Sequence, residues 1–147
     1  MSTVKLNWLA ILVAALASVF LELVWFSVFM IPWLAGVGRA TDAIFAVAIP
    51  IAQYGVALFC SIIAATVLSI LTQLTGPQTA RRGILIGILV WLGFVATTWA
   101  REYIFEVRTF QIYFINAGYS LLDLIVIGAI TGAWKVRTAR RLEQQQS

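Results

Sequence analysis

The 147-residue sequence contains no histidine, one cysteine, three prolines, and six acidic residues against ten basic ones. Each scarcity excludes something. Without His the usual haem and zinc ligands are missing, and a single Cys forms neither a metal-binding cluster nor an intrachain disulfide. No metal and no cofactor are therefore expected. G-x-S-x-G, P-loop and G-x-G-x-x-G patterns are also absent, and no nucleophile and base stand at a spacing that suggests hydrogen bonding, so the sequence reads as a non-enzyme. The one thiol, Cys60, sits in an apolar stretch and reads as buried and inert. A net charge of +4 does not make a nucleic-acid surface, because the basic residues gather at the ends of apolar segments instead of forming a stripe interleaved with aromatics.

What is abundant is apolar surface. The chain is 62% hydrophobic and 11% charged, whereas soluble domains run at about 45–50% and about 25%. These values indicate an all-α integral membrane bundle. The length fits one domain of four transmembrane helices at roughly 20 residues each, placed at about 6–32, 42–74, 83–101 and 111–134, with a basic polar tail over 135–147. Thr41 and Asp42 read as the cap and first acid of the second helix, and Pro50 should kink it. "TGPQTARR" supplies a stop and a new start.

Seven Lys and Arg residues (Lys5, Arg81, Arg82, Lys135, Arg137, Arg140, Arg141) fall on one side of such a bundle and three (Arg39, Arg101, Arg108) on the other. By the positive-inside rule both termini are expected in the cytoplasm, which makes this a multi-pass protein of the inner membrane with the lipid bilayer as its first partner. Trp8 and Trp134 would anchor the inner interface, and Trp33, Trp99, Tyr103 and Tyr113 the outer one.

Against this background "ASVFLELVWF" stands out, because its Glu22 is a carboxylate in the middle of an apolar helix. A charge at the centre of a membrane helix costs about 2.5–3.5 kcal/mol on insertion scales, so such an acid is paired, protonated or functional. Asp123 on the fourth helix should lie at a depth differing by only about 6 Å at 1.5 Å per residue, and adjacent first and fourth helices would bring the two into one cavity. Carboxylates held close share a proton or hold a cation. The bland alternative is that each acid bonds separately to a hydroxyl, an amide or Arg101 and only fixes helix register.

Asn116, Ser120 and Asp123 follow i, i+4, i+7 spacing and form a polar stripe, with Tyr119 beside it. Gln53 and Tyr54 are placed to face the same interior, where a small molecule or ion could bind. Arg101, in "REYIFEVRTF", belongs either to an interfacial ion cluster or to Glu22, which it would reach by snorkelling. Gly83 with Gly87, and Gly128 with Gly132, form two G-x-x-x-G motifs that allow close helix approach, either between helices three and four or across a dimer.

"LNWLAILVAALASVF", "VWFS" and above all "WLGFVATTWAREYIFEVRTFQIYFINAGYSLLDLIVIGAITGAW" resemble a bacterial membrane-protein family filed as domain of unknown function 1761. The resemblance implies a small four-helix membrane protein and supplies no catalytic residues. Relative to the family pattern, Glu22, Val28, Ser120 and Asp123 are departures, so an acid pair would be a specialisation of this chain. The expected function is a scaffold or subunit of a membrane assembly, as a homo-oligomer or with other membrane subunits. The alternative is a small proton- or cation-coupled transporter or channel using Glu22 and Asp123.

Overall fold

The computed structural model describes residues 4–38 and 51–134. The readings of Thr41, Asp42, Pro50, Arg39 and the basic tail lie outside them. The described chain is helical: α1 (Trp8–Val28), α2 (Met30–Gly36), α3 (Ile51–Leu74), α4 (Ala80–Val90), a π-helical stretch (Trp91–Ala96), α5 (Thr97–Phe105) and α6 (Phe110–Ala133). Four segments, Trp8–Val28, Ala52–Leu74, Ala80–Phe105 and Phe110–Ala133, are long and apolar enough to cross a membrane. The chain is thus the four-helix membrane bundle that its composition implies.

The first helix starts at Asn7, whose side chain accepts from the Ala10 N–H at 3.2 Å and satisfies one of the free amides of the first turn. Instead of running to Pro32, it stops at Val28 and restarts at Met30. Pro32 has no N–H for the Val28 carbonyl one turn back, and its ring crowds that carbonyl, so α1 ends at Val28, four residues before the proline. Within α2 the proline occupies the first turn, where an amide hydrogen is not needed.

The third span begins earlier than Gly83, at Ala80, where the Thr79 hydroxyl accepts from the Arg82 N–H at 3.3 Å. It also runs past Arg101 to Phe105, making 26 residues. At 1.5 Å per residue that is about 39 Å, more than the ~30 Å hydrocarbon layer, so the helix tilts or projects.

Neighbouring spans run antiparallel. The Lys5 N–H donates to Gln73 at 3.2 Å, joining the start of α1 to the end of α3. Gln78 donates to the Thr131 carbonyl at 2.6 Å, joining the start of α4 to the end of α6. The four predicted packing glycines all lie on one seam. A Cβ at Gly83 would overlap the Gly128 carbonyl, and a Cβ at Gly128 the Gly83 carbonyl. A Cβ at Gly87 would overlap the Leu124 carbonyl, and one at Gly132 the Thr79 carbonyl. Both motifs are therefore used within one chain, holding α4 against α6.

One turn beyond Gly87, Trp91 occupies the same face. An indole cannot lie in a glycine seam, and here the helix widens into its π-helical stretch while the Trp91 N–H reaches the Ala117 carbonyl at 2.9 Å and the Ser120 hydroxyl at 3.1 Å.

The core of Ile11, Ala14, Ala65, Leu68, Leu124 and Ile127 fills the end of the bundle that contains the start of α1 and the end of α6. Leu12, Leu16 and Phe20 recur on the outer face of α1, 45%, 52% and 68% exposed, as expected for a face that meets lipid. Cys60 lies on such an outer face and is exposed, contrary to the buried placement expected from its apolar surroundings. In a membrane bundle an apolar neighbourhood can be lipid rather than core.

Candidate functional site

At the other end of the bundle the interior becomes aromatic and polar. Ser18 of α1 is fully buried, and its hydroxyl lies 2.8 Å from that of Ser61 on α3. The Ser61 hydroxyl also lies 2.9 Å from the Ala57 carbonyl, an acceptor on its own helix, and either hydroxyl can donate across the Ser18–Ser61 pair. The buried threonines, Thr72 and Thr131, bond back to their own helices at 2.7 and 2.8 Å. Ser18 instead reaches across to another helix.

Ser18 also lies against the side chains of Tyr119 and Asp123 from α6. Its hydroxyl is placed to hydrogen-bond with both of them. Glu22, one turn further along α1, is half-buried and within Coulombic range of both Asp123 and Tyr119. The two acids predicted to meet are thus on facing helices around Ser18 and Tyr119. Asp123 Oδ1 is buried without a hydrogen-bond partner, the one such side-chain atom among the described residues. Neither acid forms an ion pair among the described residues.

The remaining predicted site residues separate from this pair. Arg101 is exposed, and no ion pair links it to Glu22 among the described residues. The ion pair of that region joins Arg108 to Glu106, on the connection to α6. Asn116 accepts from the Trp33 indole at 3.2 Å and donates to the Tyr103 hydroxyl at 2.6 Å. Ser120 accepts from Trp91 and donates to the Ala117 carbonyl at 3.0 Å. The polar stripe therefore divides, because α6 is the central helix and residues on adjacent parts of its surface face different neighbours. Trp33, Tyr103 and Tyr113 also turn inward: Tyr113 donates to the Ala96 carbonyl at 3.2 Å, and Trp25 donates to the Ile115 carbonyl at 3.1 Å. Together these aromatic residues form a collar of hydrogen bonds around the first half of α6.

From the acid pair an aromatic path leads outward. The Tyr119 and Phe26 ring centroids are 5.3 Å apart, and those of Phe26 and Trp33 are 5.7 Å apart. Glu22, Phe26 and Trp33 then line a half-open cavity of about 320 Å³, whose far wall is Gln53 and Tyr54 of α3. Gln53, grouped with the acids on sequence grounds, shares this cavity with Glu22. Ser18, Ser61 and Phe26 were not singled out in the sequence, since isolated hydroxyls and aromatics in apolar runs have no local signature.

No curated protein and no solved structure matches the chain. A family model does, over residues 9–132, which takes in all four spans except the first residue of the first and the last residue of the fourth. The chain belongs to the family described as "Protein of unknown function (DUF1761)".

Proposed function

We propose that this is a non-enzymatic, multi-pass inner-membrane protein with both termini cytoplasmic, in which Glu22 and Asp123 form the site of a small proton- or cation-coupled transporter or channel. The observation that carries the reading is the buried, unpartnered Oδ1 of Asp123 beside a second carboxylate. Two acids at membrane depth with no basic partner among the described residues are costly unless a proton or a cation lies between them. The orientation is supported by Lys5, Arg81 and Arg82 at one end and Arg101 and Arg108 at the other.

A scaffold or subunit role has less support. The G-x-x-x-G motifs that would serve a homo-oligomer are occupied by the contact of α4 with α6, so any partner would have to use another face.

The test is flux in vesicles of phosphatidylethanolamine and phosphatidylglycerol containing an entrapped pH-sensitive dye. The protein should dissipate an imposed pH gradient faster than empty vesicles do, and Glu22→Gln and Asp123→Asn should each remove the difference. Flux equal to that of empty vesicles, or flux unchanged in both variants, would refute the reading.

A further inference from the structure

We infer that the cavity between α1, α2 and α3 binds a free apolar organic cation, an amine or quaternary ammonium, with Glu22 as its counter-charge. The inference rests on the acid-pair reading above and adds the class of ligand.

Glu22 is the one charged residue in the lining among the described residues; the rest of that lining is dominated by Phe26, Met30, Trp33 and Tyr54, with Gln53 as a neutral polar group. Aromatic rings and a single carboxylate are the complement of a weakly hydrated cation: ring faces attract positive charge through their quadrupoles, and the acid neutralises it. Other ligand classes fit less well. An anion would be repelled by Glu22. A neutral apolar molecule would cover the carboxylate and strip its water without replacing it. A metal ion such as calcium needs six to eight oxygens. Among the described residues the lining offers five side-chain oxygens, two from Glu22 and one each from Ser27, Gln53 and Tyr54, short of such a shell. The volume of about 320 Å³ lies at the small end of ligand pockets, which suits a single-ring cation.

Glu22 belongs both to the cavity lining and to the pair with Asp123. A cation seated beside Glu22 supplies the positive charge that a proton otherwise supplies, so binding one cation to the protonated pair releases one proton to solvent. The two ligands then compete for one site.

The experiment compares benzyltrimethylammonium with its neutral isostere neopentylbenzene, using full-length protein in dodecyl maltoside. Saturable binding of the cation is expected at least tenfold tighter than that of the isostere, weakening as pH falls, with protons released in weakly buffered solution. Glu22→Gln should abolish the preference for charge while retaining the helical circular-dichroism signal. Ala57→Leu, which fills the cavity wall without altering charge, should weaken both ligands at least tenfold. Absence of saturable binding, equal affinity for the two compounds, or an unchanged preference in Glu22→Gln would overturn the inference. A dimer that takes up no cation would overturn it in favour of a second copy as the occupant. Should the variants abolish proton flux in vesicles while the cation never binds, the acid-pair reading stands and this one falls.

Discussion

Ser18 and Asp123 face each other across the contact of α1 with α6, and the Ser18 hydroxyl also lies 2.8 Å from that of Ser61 on α3. Asp123 Oδ1 is nevertheless buried without a hydrogen-bond partner, whereas an amide in its place would carry no charge to leave unsatisfied. Asp123→Asn should raise stability by about 1–2 kcal/mol, the scale of an unsatisfied buried acceptor. Reversible unfolding in mixed micelles measures it; a loss of similar size would mean that the acid holds the bundle together.

Ser18→Ala removes the hydroxyl between Asp123 and Ser61 but leaves Ser61 bonded to the Ala57 carbonyl. Interhelical hydrogen bonds in membranes average about 0.6 kcal/mol, so the expected loss is below about 1 kcal/mol in the same assay. A loss several times larger would assign Ser18 a structural role that its single bond to Ser61 does not explain.

The glycine seam should be far less tolerant. Gly83→Ala and Gly128→Ala each drive a methyl into a backbone carbonyl that cannot rotate away, which should cost about 3 kcal/mol or more. Gly55→Ala, with nothing within 4 Å of the new Cβ, should be neutral or slightly stabilising. Similar melting temperatures for all three variants would contradict the close approach of α4 and α6.

Val107 carries a left-handed backbone, φ 54°, at the end of α5. The N–H groups of Val107 and Arg108 return to the carbonyls of Ile104 and Tyr103 at 3.3 and 3.0 Å, a Schellman ending that favours glycine at this position. Val107→Gly should stabilise by roughly 1 kcal/mol, because a β-branched residue is strained there. An unchanged or lower melting temperature would argue against that backbone.

Much of the architecture is legible in composition. Apolar runs mark the spans, and the two G-x-x-x-G motifs mark a seam because only glycine lets backbones touch. The similar depths of Glu22 and Asp123 follow from helix rise alone. Other features depend on three-dimensional context. The break at Phe29 appears one turn before the proline that causes it, and the widening after Val90 arises because Trp91 follows the glycine seam. Arg101 has a sequence position compatible with Glu22 yet is exposed and makes no ion pair with it among the described residues, since a long flexible cation near a helix end can extend away from the bundle interior. The stripe of Asn116, Ser120 and Asp123 divides among neighbours because periodicity identifies a face of α6 but not how many helices that face meets.

The central claim is that Glu22 and Asp123 act as one coupled site. Infrared difference spectroscopy of the protein in lipid nanodiscs, titrated with acid, observes protonated carboxyl groups directly. The account predicts a carboxylic-acid carbonyl band that is lost or shifted in Asp123→Asn and that changes frequency or titration midpoint in Glu22→Gln, because each acid alters the proton held by the other. Two bands that titrate independently, each unaffected by substitution of the other residue, would contradict it.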